Sequence, residues 1–289
     1  MDKCQFLLCF FVGCYSLVFP QTNEIDVYLI GGQSNATGQG YMVNIPSDFS
    51  VNSEVLLFHS HLMKGEMPYV WRPLHQASES TDRFGVELSL GTKLKEFFPD
   101  KKMALIKHAY SGSNLFEDWN PGENIKDTIA YGIQFKHFVK TVNKGLDDLR
   151  SQGFVPKIKG MVWQQGEGDA REDSGIENSK NYGKNLRHFI KRVRKQFGAK
   201  AMLFIYGYVI PVPQKVYAGR EEVRSGQRYV DQDSGRPLAL KNAFVVSTDD
   251  LPIRADEPHS PYPNDKIHFN TYGILELGNR FAEKIKEHQ

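Results

Sequence analysis

The chain has 289 residues, 40% of them hydrophobic and 24% charged, and its 36 basic against 34 acidic residues leave a net charge of +2. That length suits one large α/β domain or two small ones, and the composition is that of a soluble globular protein. With no block of like charge and basic residues spread along the chain, nothing forms a nucleic-acid-binding face.

The amino-terminal stretch stands apart. Residues 5–19 (QFLLCFFVGCYSLVF) are almost wholly apolar and the polar QTNE follows. The run is short for a bilayer span and right for a secretory h-region, so residues 1–20 are expected to be a signal peptide. Secretion or a periplasmic location follows. A single amino-terminal anchor is the alternative. Phe11-Val12-Gly13-Cys14 loosely resembles a lipobox, which would put a lipid on Cys14; the signal would then be unusually short. Without it, no stable membrane association is expected. All three cysteines (Cys4, Cys9, Cys14) lie in this segment. A chain cut near residue 20 has no disulfide, no thiolate nucleophile and no cysteine-ligated metal. A core must hold residues 21–289 together, and about 270 residues suffice to bury one.

Beyond residue 20, apolar runs alternate with amphipathic ones. Strands are predicted at 26–31, 54–59, 103–108, 158–164, 202–208 and 243–248, and helices at 85–98, 131–151, 176–197, 214–230 and 271–287. In 131–151 the apolar residues Ile133, Phe138, Val142, Leu146 and Leu149 recur near a helical period. Ile274, Leu277, Phe281 and Ile285 do the same in 271–287. Such alternation argues for one mostly parallel sheet covered on both faces. The loops 60–83, 111–130 and 249–269 are long for plain connections, and long loops at strand ends usually build the site.

The first strand runs into Ile30-Gly31-Gly32-Gln33-Ser34-Asn35-Ala36-Thr37-Gly38-Gln39-Gly40. A Walker loop needs Lys and then Ser or Thr after its last glycine, and here Gln39-Gly40 follow Gly38. The dinucleotide pattern also fails for want of its final glycine. Asn35-Ala36-Thr37 is a formal glycosylation sequon, expected to go unused because a glycan there would plug the site. What remains is a tight strand exit presenting one hydroxyl at the carboxyl end of a strand, where ligands gather in parallel sheets. On this stretch alone, an ordinary polar turn is the default.

A base changes that reading. Asp265 and His268 stand three residues apart in Asn264-Asp265-Lys266-Ile267-His268-Phe269. Asp265 can accept from Nδ1–H and leave Nε2 free to take the proton of a serine, which is a poor nucleophile without such help. Oxyanion donors are available in two further strand-end segments: the Gly112 N–H in His108-Ala109-Tyr110-Ser111-Gly112-Ser113-Asn114, and a side-chain amide in Trp163-Gln164-Gln165-Gly166-Glu167-Gly168-Asp169. Fixed donors at a developing oxyanion commonly supply about 3–4 kcal/mol each.

These four blocks, in this order, resemble the SGNH hydrolase superfamily, and within it the carbohydrate-esterase branch of acetylxylan esterases and sialate O-acetylesterase-like proteins (carbohydrate esterase family 6). The likeness runs from about residue 25 to 285. It implies a flavodoxin-like three-layer α/β/α sandwich and hydrolysis of acetyl esters on sugars, with no cofactor and no metal. By position it implies Ser34 as nucleophile, His268 as base and Asp265 as its orienter. The Ser34 N–H, the Gly112 N–H and the Gln165 side chain would form the oxyanion hole, with Gln33, Asn35 and Glu167 supporting them. Gln164 and Gly168 depart from the family pattern, where histidine and serine are usual.

Other constellations weigh less. Asp256-Glu257-Pro258-His259 is a second Asp-x-x-His, but Pro258 holds Glu257 extended. Glu167 and Asp169 share one loop and are ill placed to straddle a sugar as a glycosidase pair. His59-Ser60-His61 has no third ligand near it in the chain. His75, His108, His137 and His188 read as structural or solvated. Trp119 is the candidate sugar contact, by stacking on a ring, or equally the pin that packs its loop. Trp71 and Trp163 read as core. Arg83, Arg171 and Arg254 lie on site loops, where each would touch an acidic sugar or simply face solvent.

Overall fold

The computed structural model describes residues 23–289, so the expected signal segment and its cysteines lie outside the described residues. In chain order, β1 (Glu24–Gly32) passes through the single turn α1 (Ser34–Thr37) to β2 (Gly40–Tyr41), β3 (Val55–His59), β4 (Arg72–Pro73) and β5 (Arg83–Phe84). There follow α2 (Glu87–Phe97), β6 (Met103–Lys107), α3 (Ile133–Ser151), β7 (Val155–Gln164), α4 (Glu167–Ala170) and α5 (Ile176–Gln196). The chain ends with β8 (Leu203–Gly207), α6 (Arg220–Val230), β9 (Ala243–Val246) and α7 (Thr271–His288).

The main sheet has the order β4-β3-β6-β1-β7-β8-β9. Its pairings are parallel except for β4, which runs antiparallel on the β3 edge. Parallel strands need crossovers, and these put helices on both faces. Successive side chains of β1 therefore enter different cores. Val27 and Leu29 join Phe138 of α3, Phe189 of α5 and Val223 of α6. Tyr28 and Ile30 join Leu90 of α2 and Leu277 and Phe281 of α7. The result is a three-layer α/β/α sandwich with a mostly parallel sheet. Asn270 caps α7, its side chain accepting from the Gly273 N–H at 2.9 Å, which satisfies one of the helix's free donors.

The six predicted long strands and five predicted helices all form, with ends shifted by a few residues. The largest shift is in 214–230, where the helix begins only at Arg220. Residues 216 and 219 are instead tied to the loop after β7: Glu172 N–H donates to Val216 O at 3.0 Å and Gly219 N–H to Ala170 O at 2.9 Å. The ribbon of β2 with β5, too short to show a period, pairs Tyr41 with Arg83.

Topology places the site. From β1 the chain first fills one side, going out to β3 and β4 and returning to place β6 between β3 and β1, and then builds outward on the other (β7, β8, β9). Where the direction reverses, the loops leaving β6 and β7 part and open a crevice at the carboxyl ends of the strands. The loop leaving β1 rises between them.

Candidate active site

The strand exit turns sharply because Gly32 adopts φ +136, where a side chain would collide with the Gln164 carbonyl on β7. Glycine alone is at ease there. The chain then folds into α1, with Ala36 and Thr37 N–H donating to Gln33 O at 2.8 and 2.7 Å. Ser34, at its first position, is 5% exposed and faces a crevice of about 370 Å³.

His268 reaches the same point from the far end of the chain. Its Nε2 lies 2.9 Å from Ser34 Oγ, and its Nδ1 lies 2.7 Å from Asp265 Oδ2. Burial raises the pKa of the Asp265 carboxyl. The hydrogen bond and charge of His268, with the N–H groups of His268 and Ile267, outweigh it and hold the value down at about 2. Asp265 is thus ionised at neutral pH, which assigns the imidazole proton to Nδ1 and leaves Nε2 to accept the serine proton. Arg254 stands behind this pair. It is buried, lies 3.5 Å from Asp265 Oδ2, and is held by Tyr41 OH at 2.6 Å and the Tyr262 ring at 4.0 Å. It neither meets solvent nor reaches the crevice, in contrast to both sequence expectations. Asp256 and His259 are exposed and neither lines the crevice that Ser34 faces.

Gly112 follows β6 with φ +72, and a Cβ there would meet nothing within 4 Å. Like Ser34 it lines the crevice, and among the described residues neither N–H has a protein acceptor. Gln165 does not join them. It is wholly buried and its amide nitrogen is used up: it donates to Asp169 Oδ2 at 2.7 Å and faces Ser113 O and Gln33 Oε1 at 3.2 and 3.3 Å. The expectation that its side chain points into the site therefore needs correction. Gln33 and Glu167 line the crevice. Asn35 lies just beneath, donating to Glu167 Oε1 at 2.9 Å.

Glu167, on the crevice wall, and Asp169, behind it, are both buried. Burial raises both carboxyls, that of Asp169 to about 7. Asp169 accepts the Leu115 N–H at 2.8 Å and anchors its loop, so the two carboxyls do not flank a sugar site. Trp119 is 0% exposed, packs edge-on to Trp163 at 4.9 Å and donates to Ser113 Oγ at 2.8 Å. Of its two readings, the loop pin is the one observed. Asn35 is equally buried, with its amide nitrogen committed, so the folded chain has no room for a glycan on the sequon. Among the described residues no group of three or more His, Cys, Asp or Glu could hold a metal ion. His59 bonds the Ser60 and Glu66 carbonyls instead.

The crevice also holds residues that sequence reading gave no site role or left open: Gln39, Glu79, Arg83, Arg171 and Tyr217. Arg83 arrives on the β2–β5 ribbon and donates to Gln39 Oε1 at 2.8 Å. Arg171 is held by Asp173 at 2.8 and 2.9 Å. Tyr217 stands on the segment expected to be helical. A larger hollow, of about 830 Å³, lies at the opposite end of the sheet between Lys101, Lys159 and Lys200, remote from Ser34.

A mostly parallel α/β/α sheet with these loops at its carboxyl edge is the frame of SGNH-type ester hydrolases. The chain belongs to the carbohydrate esterase, sialic acid-specific acetylesterase family, whose model matches residues 24–287. It is a carboxylic ester hydrolase of the carbohydrate-esterase type. No curated protein matches it significantly. Solved structures share its fold. A protein from Arabidopsis thaliana is 19% identical with a TM-score of 0.66, over 92% of this chain and 99% of that one. NanS is 14% identical with a TM-score of 0.66, over 93% and 98%. A carbohydrate acetylesterase from Xanthomonas citri is 16% identical with a TM-score of 0.55, over 89% of this chain and 54% of that one. Among the described residues no helix is long and apolar enough to cross a membrane.

Proposed function

We propose that the protein removes O-acetyl groups from a carbohydrate through an acetyl-enzyme on Ser34. The observation that carries this reading is the continuous chain from Asp265 through His268 to Ser34, with links of 2.7 and 2.9 Å. As Ser34 Oγ bonds the acetyl carbon, its proton passes to His268 Nε2 and the carbonyl electron pair moves onto oxygen. The Ser34 and Gly112 N–H groups receive that charge. Collapse expels the sugar oxygen, which takes the proton from His268. Water then attacks the acetyl-enzyme by the same route and releases acetate. Asp265 keeps the ring oriented and stabilises the imidazolium.

The substrate we propose is an acetylated acidic sugar of the sialic acid type. The family's description supports it, as do two guanidinium groups, Arg83 and Arg171, on the crevice wall. Arginine is suited to holding a carboxylate. Apart from Ile267, the crevice is lined by glycines and by Gln, Ser, Glu, Arg, Tyr and His side chains and offers no apolar channel for a long acyl chain, which disfavours a lipase or thioesterase. Residues 21–289 act as one unit in this reading, exported by the segment before them.

The test is acetate release from acetylated sialic acid and acetylated xylan, with Ser34→Ala as control. Ser34→Ala should lower kcat by several orders of magnitude with the fold intact. Sugar binding without acetate release would make the protein a binding module, and a Ser34→Ala variant of near-normal activity would reject the nucleophile.

A further inference from the structure

Besides the His268 imidazole, the crevice is lined by one aromatic side chain, that of Tyr217. Its backbone is fixed on both sides. The Glu172 N–H donates to Val216 O at 3.0 Å, the Gly219 N–H to Ala170 O at 2.9 Å, and the Tyr217 N–H to Gln214 O at 3.0 Å. These ties hold the segment against the loop after β7 and bring the ring to the crevice wall that Arg171 shares. The ring is half-buried and packs against the hydrophobic core. Among the described residues its hydroxyl has no protein partner, yet it is not a sealed atom. Burial raises its pKa, the charge of Glu167 adds to this, that of Arg171 opposes it and that of Asp265 adds again. Those charges stand around Ser34 and His268, so the phenol oxygen is on the crevice side, and it keeps its proton at neutral pH. The other aromatic rings nearby are committed. Trp119 is sealed, and Tyr41 lies between Arg83 and Arg254 with its hydroxyl bonded to Arg254.

We infer that Tyr217 is the residue that recognises the sugar: its ring packs against the C–H face of the acetylated sugar, and its hydroxyl hydrogen-bonds a sugar oxygen. The inference rests on the carbohydrate esterase reading of the site. It adds a recognition element that the arginines do not supply, since they answer to charge. A sugar has an apolar C–H face and a polar edge, and a tyrosine anchored by the core, with a free hydroxyl, offers a surface for the first and a partner for the second. The contact is with the leaving part of the ester, away from the carbonyl. It is therefore made alike in the bound ester and in the transition state, and it acts on KM more than on kcat. The enzyme should prefer a cyclic polyol ester to a simple alkyl acetate for this reason.

The test is steady-state kinetics with Tyr217→Ala and Tyr217→Phe on acetylated sialic acid and on ethyl acetate, which has no ring to hold. Tyr217→Phe keeps the packed ring and drops an oxygen that the folded chain does not use, so it decides the case if Tyr217→Ala fails to fold. The ratio of kcat/KM for the sugar ester to that for ethyl acetate should fall about 30-fold in Tyr217→Ala and about fivefold in Tyr217→Phe, chiefly through KM of the sugar ester. The deacetylated sugar, as a competitive inhibitor, should weaken by the same factors. A Tyr217→Phe variant with the wild-type ratio overturns the inference. So does a folded Tyr217→Ala variant that loses equally on both esters, since the ring would then only hold the crevice wall. In both cases a wild type that prefers the sugar ester leaves the carbohydrate esterase reading standing. A wild type that cleaves ethyl acetate and no acetylated sugar removes both.

Discussion

Asn35 follows the proposed nucleophile directly, and its side chain forms hydrogen bonds on both sides of His268. Its Nδ2 donates to Ile267 O at 3.1 Å, and the Phe269 N–H donates to its Oδ1 at 3.0 Å. Glu167 Oε1 takes a further hydrogen bond from Nδ2 and so keeps the amide from turning over. One residue thereby sets the spacing between a turn at one end of the chain and a loop at the other. Asn35→Ala should leave the core intact yet lower kcat by about 100-fold with little change in KM, since an ångström of misplacement between base and nucleophile costs about that much. Labelling of Ser34 by a fluorophosphonate should slow in parallel. A variant with the wild-type labelling rate would show that His268 finds its place without Asn35. Asp265, ionised down to about pH 2, should itself add no step to the rate of the wild-type enzyme in the neutral range.

At the level of elements, the end of β6 and the residue after it carry two polar side chains into the interior. Lys107 is wholly buried, and its ammonium donates to Glu87 Oε2 at 2.5 Å, Ala77 O at 2.5 Å and Thr37 O at 2.9 Å. Glu87, at the start of α2, also accepts the Ala77 and Gly85 N–H groups at 3.0 and 2.9 Å. All three ammonium protons are used, and the pair joins the end of α1 to α2 and to the long loop before β5. Lys107→Met would strand the Glu87 charge and should cost about 3–5 kcal/mol in urea unfolding, whereas adding Glu87→Gln should recover much of it. A cost below 1 kcal/mol for the single change would mean that water reaches Glu87. His108, the next residue, is also buried, and burial pushes its pKa down to about 3. In the unfolded chain the ring takes up a proton below about pH 6.5, while in the folded chain it stays neutral to about pH 3. Stability is therefore lost as pH falls from about 6.5 towards 3, by up to about 5 kcal/mol from this group. His108→Gln should flatten that part of the stability profile. An unchanged slope would assign the acid sensitivity elsewhere.

Over the whole molecule, the crevice is assembled from distant parts of the sequence. Ser34 and His268 are 234 residues apart, and the loops after β6 and β7 come from between them. The rim charges act at this scale. If Arg83 and Arg171 receive a carboxylate, KM for an acidic acetylated sugar should rise with ionic strength, while KM for a neutral one stays level. Arg83→Gln should raise the former about tenfold and leave the latter unchanged. Equal effects on both would assign Arg83 to the architecture of the β2–β5 ribbon.

The sequence by itself determined the layers of this protein. Long apolar runs alternating with amphipathic ones have few ways to bury themselves, and glycine at a strand end permits a turn that other residues resist. Those are local properties, so the strands, the long helices and the tight exit before Ser34 were legible, as was the spacing of Asp265 and His268 on one turn. The tertiary structure alone decided which polar side chains face the crevice. Gln165 and Gln33 are chemically alike, and only the packing of the loop after β7 seals one away and leaves the other on the crevice wall. Trp119 reads equally as a sugar platform or as a pin until Trp163 and Ser113 are seen against it. Arg254 and Lys107 look like surface charges until Asp265 and Glu87 are found beside them. Each of these outcomes depends on a partner far away in the chain, and a hydrogen bond across such a distance leaves no period in the sequence.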